Sequence, residues 1–303
     1  MPSVPLYVNA WLELDEDQPD SVGYENPDSA FQRLITGGVY RAVDTLLIGF
    51  LDTVPTSAST VPSGDGNSYT LANGPASHPD GLTNADYMRF VVRDARATNP
   101  GIRILATLAW GDDDVISRIF KGATGQAGQR AAESFARNLV LFLRHWNLDG
   151  LDVDWESPLS DGTSVEQFKL FFDAVGVAFR GASPPLYLTL SPATADNLDA
   201  SAVNDNVAFV NLQLYSGFTS RSAFTRAGIK EELLAYGAKF ESDTGGVSPT
   251  HPGHQSASNS YQEALKGGYT VITQWRLNSG NFIYEQDQQQ ELHKLVHHAA
   301  EGE

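Results

Sequence analysis

Short apolar runs of strand length alternate with helix-period segments along nearly the whole chain, and no other feature limits the fold as much. Strand-like runs fall at residues 6–11, 45–51, 102–109, 148–155, 186–190, 207–215, 233–240 and 269–275. Helical spacing fills 29–36, 84–97, 131–146, 164–179, 260–265 and 284–300. In 131–146, Phe135, Leu139, Phe142, Leu143 and Trp146 recur every three or four positions, the period of a helix with one buried face. Strands alternating with helices build a parallel sheet. About eight such units in 303 residues favour a closed (β/α)8 TIM barrel over an open doubly wound sheet. One α/β barrel domain is expected over 1–303. A loop and a short helix are all that separate the seventh and eighth strands, so no large α+β insertion is expected. Segments 53–79 and 241–258 are rich in Ser, Thr, Gly, Pro and Asn and read as loops at the C-terminal mouth, where barrel sites sit.

Composition narrows the partners. The 20 Lys+Arg against 37 Asp+Glu give a net charge of −17, and the basic residues are scattered. Nucleic acid and anionic membranes both need clustered cations, so a neutral ligand fits better. No run of about 18 apolar residues occurs, so no membrane span is expected. Residues 1–11 lack a basic stretch and a long apolar stretch, so no signal peptide is expected there. The absence of cysteine removes disulfides, thiolate metal sites and cysteine nucleophiles. No Gly-rich phosphate cradle follows a strand.

The sharpest local feature is Asp149-Gly150-Leu151-Asp152-Val153-Asp154-Trp155-Glu156, on the fourth strand. Side chains alternate faces along a strand. Asp152, Asp154 and Glu156 therefore share one face, and Leu151, Val153 and Trp155 the other. With the apolar set against the helices, the carboxylates climb the lumen towards the mouth. Crowded like charges raise at least one pKa, which suits a general acid near neutral pH. Two competing readings are a solvated edge strand and a divalent-cation site of carboxylate oxygens. No His lies near these acids in sequence.

The run matches Asp-Gly-x-Asp-x-Asp-x-Glu, and here the chain resembles glycoside hydrolase family 18, the chitinase-like TIM barrels. The likeness extends to Gln213 and Tyr215 on the sixth strand, Trp275 ending the eighth and Phe50 on the second. It departs at Ser216, where the family carries Asp or Asn. It departs again at Thr107-Leu108-Ala109-Trp110-Gly111, where the family has Ser-x-Gly-Gly.

The resemblance implies a retaining, substrate-assisted hydrolysis of β-1,4-linked N-acetylglucosamine, the exception to the two-carboxylate scheme. Glu156 would be general acid and base, and Asp154 would orient the acetamido group. Asp152 would share a proton with Asp154, and Tyr215 would bond the acetamido oxygen. Trp275 would floor the sugar site, with Gln213, Trp110, Trp11 and Phe50 as further binding residues. No metal and no cofactor are implied. The partner is chitin or a chito-oligosaccharide, the expected state is a monomer, and that substrate favours an extracellular location. An endo mode follows from the missing insertion. An endo-β-N-acetylglucosaminidase acting on N-glycan cores shares the same acids, and an inactive chitin-binding lectin shares the barrel. Asp112 to Asp114 read as helix-capping acids. His293, His297 and His298 have a spacing that could hold a metal, but a solvated helix face is the favoured reading.

Overall fold

The computed structural model describes residues 7–14, 22–74, 77–109, 115–156, 163–196, 198–216, 219–240 and 256–301, with side chains to 297 in the last stretch. The barrel strands are β1 (Tyr7–Glu13), β2 (Thr45–Pro55), β4 (Arg103–Leu108), β5 (Gly150–Trp155), β6 (Tyr187–Pro192), β7 (Val210–Leu212), β8 (Leu234–Lys239) and β9 (Val271–Trp275). All pair in parallel, and β1 closes the ring by pairing with both β9 and β2. A ninth strand, β3 (Tyr69–Asn73), runs antiparallel to the end of β2. The helices are α1 (Ala30–Thr36), α2 (Asn84–Thr98), α3 (Ser117–Phe120), α4 (Gly125–His145), α5 (Val165–Gly181), α6 (Ala200–Asn206), α7 (Arg221–Arg226), α8 (Ala257–Gly267) and α9 (Phe282–Glu301). This is a single (β/α)8 barrel. Between β8 and β9, α8 is the one described element.

The elements follow from local chemistry. Ser164 opens α5 through a capping box with Gln167, and Thr83 opens α2 through one with Asp86. Outward strand residues such as Leu151, Val153, Leu188 and Leu190 join the helix faces in one continuous core. A much smaller cluster lies inside the ring, where Trp11, Leu47 and Leu105 pack with Phe50 and Trp275. Polar residues occupy most of the other lumen positions, so the interior is built for chemistry rather than for apolar filling alone.

Three expectations need correction. Segment 53–79 is not all loop: β2 runs on to Pro55 and pairs with β3. Asn138 of α4 holds that hairpin, accepting from the Gly64 and Asp65 N–H groups and donating to the Tyr69 carbonyl. The strand expected over 207–215 is β7 alone, because the chain turns at Gln213. The Ser216 N–H and hydroxyl both donate to the Gln213 carbonyl, at 3.0 and 2.7 Å. The first strand continues past Trp11 to Glu13. The Ser216 hydroxyl thus closes the turn that presents Tyr215.

Candidate active site

The acids stand as alternation requires, and burial grades them. Asp152 is fully buried, Asp154 is 5% exposed, and Glu156 is open to solvent at the mouth. Trp155 points outward against Phe168, with ring centroids 5.4 Å apart. Two motif residues below the acids are structural. Asp149 accepts from Arg96 at 2.9 Å and from the Ile104 N–H at 2.7 Å. Gly150 passes so close to β6 that a Cβ there would lie 2.0 Å from the Tyr187 carbonyl oxygen.

Hydroxyls surround Asp152. Thr189 donates to it at 2.5 Å and Ser191 at 3.1 Å. The Ser191 oxygen accepts from Asn211 at 2.9 Å, and the Asn211 oxygen accepts from Thr273 at 2.6 Å. The Ser191 proton is thereby aimed at the carboxylate. Burial still dominates and pushes the Asp152 carboxyl up to about 7, against the lowering effect of the two hydroxyls. Asp154 is held well above the usual carboxylate range. Burial is the main cause, followed by the charges of Glu156, Asp152 and Glu13.

Gln213 links the upper acids. Its amide donates to Glu156 at 2.8 Å and to Asp154 at 3.3 Å. Trp275 lies beside Tyr215, with rings 25° from parallel and centroids 6.5 Å apart. Trp11, 3% exposed, packs with its ring centroid 5.1 Å from that of Trp275 and 5.7 Å from that of Phe50. A register shift between Ile48 and Leu51 lets Phe50 join Leu47 on the lumen side. A cavity of about 10 Å³ lies among Tyr215, Trp275, Leu212, Gly237, Asn211 and Ser191, room for one water-sized group. Trp110 and Asp112 to Asp114 lie outside the described residues.

Sequence reasoning missed an ion pair at the rim. Arg276 donates to Glu13 at 2.5 Å, and both side chains are mostly buried. Asn278 fixes the Glu13 backbone through bonds of 3.1 and 2.7 Å. The lumen parity of Glu13, in step with Asn9 and Trp11 on β1, was the signal available for one partner. The parity of Thr189 and Ser191 on β6 was likewise readable.

The fold and site define a (β/α)8 barrel with a buried-to-open ladder of carboxylates beside an aromatic cluster. The model of the glycosyl hydrolases family 18 matches residues 18–268, and the chain belongs to that family. It is 38% identical to an endochitinase of Brugia malayi over 92 residues, 30% of this chain and 17% of the relative. It is 27% identical over 160 residues to endochitinase 1 of Metarhizium robertsii, covering 49% of this chain and 34% of the relative. The matched segments thus span 17% and 34% of these relatives' own lengths. The fold is similar to that of the class V chitinase of Nicotiana tobaccum, at TM-score 0.67 and 14% identity over 96% of this chain and 99% of that one. It is also similar to the chitinase-like agglutinin of Robinia pseudoacacia, at TM-score 0.60 and 17% identity over 96% and 98%.

Proposed function

We propose that the protein is a retaining endo-chitinase that hydrolyses β-1,4-linked N-acetylglucosamine with the substrate's own acetamido oxygen as nucleophile. The observation that carries this reading is the graded ladder of Asp152, Asp154 and Glu156, with only the last open at the mouth. Glu156 is placed to protonate the glycosidic oxygen. Asp154 is buried and held towards its protonated form, which makes it a poor nucleophile. That favours the substrate-assisted route over a covalent carboxylate intermediate.

The sugar ring lies over Trp275, with its acetamido group towards Tyr215 and the small cavity beside it. The acetamido oxygen attacks the anomeric carbon as the bond to the leaving oxygen breaks, and the proton of Glu156 goes to that oxygen. The resulting oxazolinium ion is positive. Asp154 accepts from its N–H and balances its charge while the shared proton moves to Asp152. Preorganised charge of this kind needs no solvent rearrangement as the reaction proceeds. Water then attacks the same carbon, gives its proton to Glu156, and breaks the bond to the acetamido oxygen, which restores the acetamido group and retains anomeric configuration. The barrel without a large insertion leaves the cleft low-walled, which supports cleavage within a chain.

The test is hydrolysis of chitotetraose by wild type and Glu156→Gln, with products resolved by anomer. Initial β-anomer products, lost by at least about 10³-fold in the variant, are the expected result, since the variant removes both proton transfers. Initial α-anomers overturn the mechanism. Binding without cleavage by wild type indicates a lectin. Failure to bind redirects the reading to N-glycan cores.

A further inference from the structure

The polar face of α9 forms a seam with the first β/α unit, and the seam ends in a cluster unrelated to the mouth. Gln286 donates to the Ala30 carbonyl, Gln289 to the Ala42 carbonyl and Gln290 to the Gly37 carbonyl. The next residues at helical spacing on this face are His293 and His297. They meet Asp44, which immediately precedes β2 at the N-terminal end of the barrel, opposite the acids. One ligand atom from each of Asp44, His293 and His297 lies within 4.8 Å of the others, and all three residues are partly buried.

The geometry points to a divalent transition-metal site of two imidazoles and one carboxylate, and we infer that it takes Zn²⁺. His297 Nε2 is buried, has no hydrogen-bond partner, and lies 3.6 Å from Asp44 Oδ2. That separation is too long for a hydrogen bond. It is close to the spacing of two ligand atoms on one tetrahedral ion, about 3.3 Å for bonds of about 2.0–2.1 Å. The His293 and His297 rings are 4.2 Å apart, as i and i+4 residues on one helix face. The carboxylate is already oriented, because Asp44 Oδ2 accepts from the Val8 N–H at 2.7 Å, the outer contact a metal-binding carboxylate needs. A cation there also lies near the C-terminal end of α9, the favourable end of the helix dipole. Nitrogen and oxygen donors of this mix suit zinc, with water in the fourth position. The ion would pin the last helix to the start of β2, as a clamp remote from the sugar site.

The experiment uses the full chain, stripped with a chelator and titrated with zinc chloride by calorimetry and with cobalt chloride by visible absorption. One Zn²⁺ per chain and d–d bands from bound Co²⁺ are expected. His293→Gln and His297→Gln should each weaken zinc binding by about 100-fold or more, with chitotetraose hydrolysis unchanged. Zinc should also shield both imidazoles of the wild-type chain from carbethoxylation, read by peptide mass, so the answer does not depend on the variants folding. No heat and no cobalt bands at millimolar metal, unchanged affinity in the folded variants, or unshielded imidazoles each overturn the site. These readouts stand whether or not the chain cleaves chitin.

Discussion

Asp152 sits where a string of hydrogen bonds ends, and that position governs its titration. The string crosses the lumen from Thr273 through Asn211 and Ser191, each donor aimed towards the carboxylate. Such donors favour the charged form, yet complete burial outweighs them and lifts the carboxyl to about 7. Between about pH 4 and that value the folded chain keeps a proton that the unfolded chain has lost. The contribution of Asp152 is therefore fully present below about pH 4 and falls as pH rises, by at most about 1.4 kcal/mol per unit. Asp152→Asn cannot titrate. Urea unfolding at about pH 4, 5.5 and 7 should show the variant gaining on wild type at each step, and parallel stabilities would refute the argument. The ladder was legible in sequence because alternation on one strand needs only neighbouring residues. Glu13 and Arg276 were not, because they are 263 positions apart and meet only when the ring closes.

At the level of elements, β5 shows why a motif can contain a residue with no chemistry. Gly150 faces a strand partner whose carbonyl would be 2.0 Å from any added Cβ, and Leu105 Cδ2 would be 2.5 Å away. Backbone cannot yield as a flexible side chain can, so Gly150→Ala forces β5 from β6 or shifts its register. The expected loss is about 1–3 kcal/mol, within the range for overpacking, together with a fall in hydrolysis, because β5 carries Asp152 and Asp154 and leads directly into Glu156. Gly66→Ala is the control, since nothing lies within 4 Å of a Cβ there. Thermal melts of the two variants check this, and equal melting points would show that β5 has slack. The eight barrel strands were legible from apolar runs and their spacing. The turn after β7 was not, because Leu212, Gln213 and Leu214 keep a strand-like pattern while the Ser216 hydroxyl bends the backbone. The β2–β3 hairpin was missed for a similar reason: its stability comes from Asn138 on α4, which local composition does not register.

Over the whole molecule, the barrel works as one unit because its first and last strands are stitched together. β1 and β9 pair in parallel, and Gln286 of α9 ties α1 to the residues just after β9. Its amide donates to the Ala30 and Leu277 carbonyls at 3.1 and 3.0 Å, and its oxygen accepts from Arg33 at 3.1 Å. The side chain is fully buried, so truncation takes a buried partner from the Ala30 and Leu277 carbonyls and from Arg33, which keeps only Asp287. A barrel closed in this way should unfold in a single step, because opening the seam exposes the core on both sides of it. Calorimetry of the wild type should therefore show one transition. Gln286→Ala should lower its midpoint by roughly 2–5 °C, from about 1–3 kcal/mol for the lost buried hydrogen bonds, without splitting the peak. An early minor transition in the variant would mean that α9 and β9 open apart from the rest. The seam would then be an attachment rather than the closure on which the acid ladder depends.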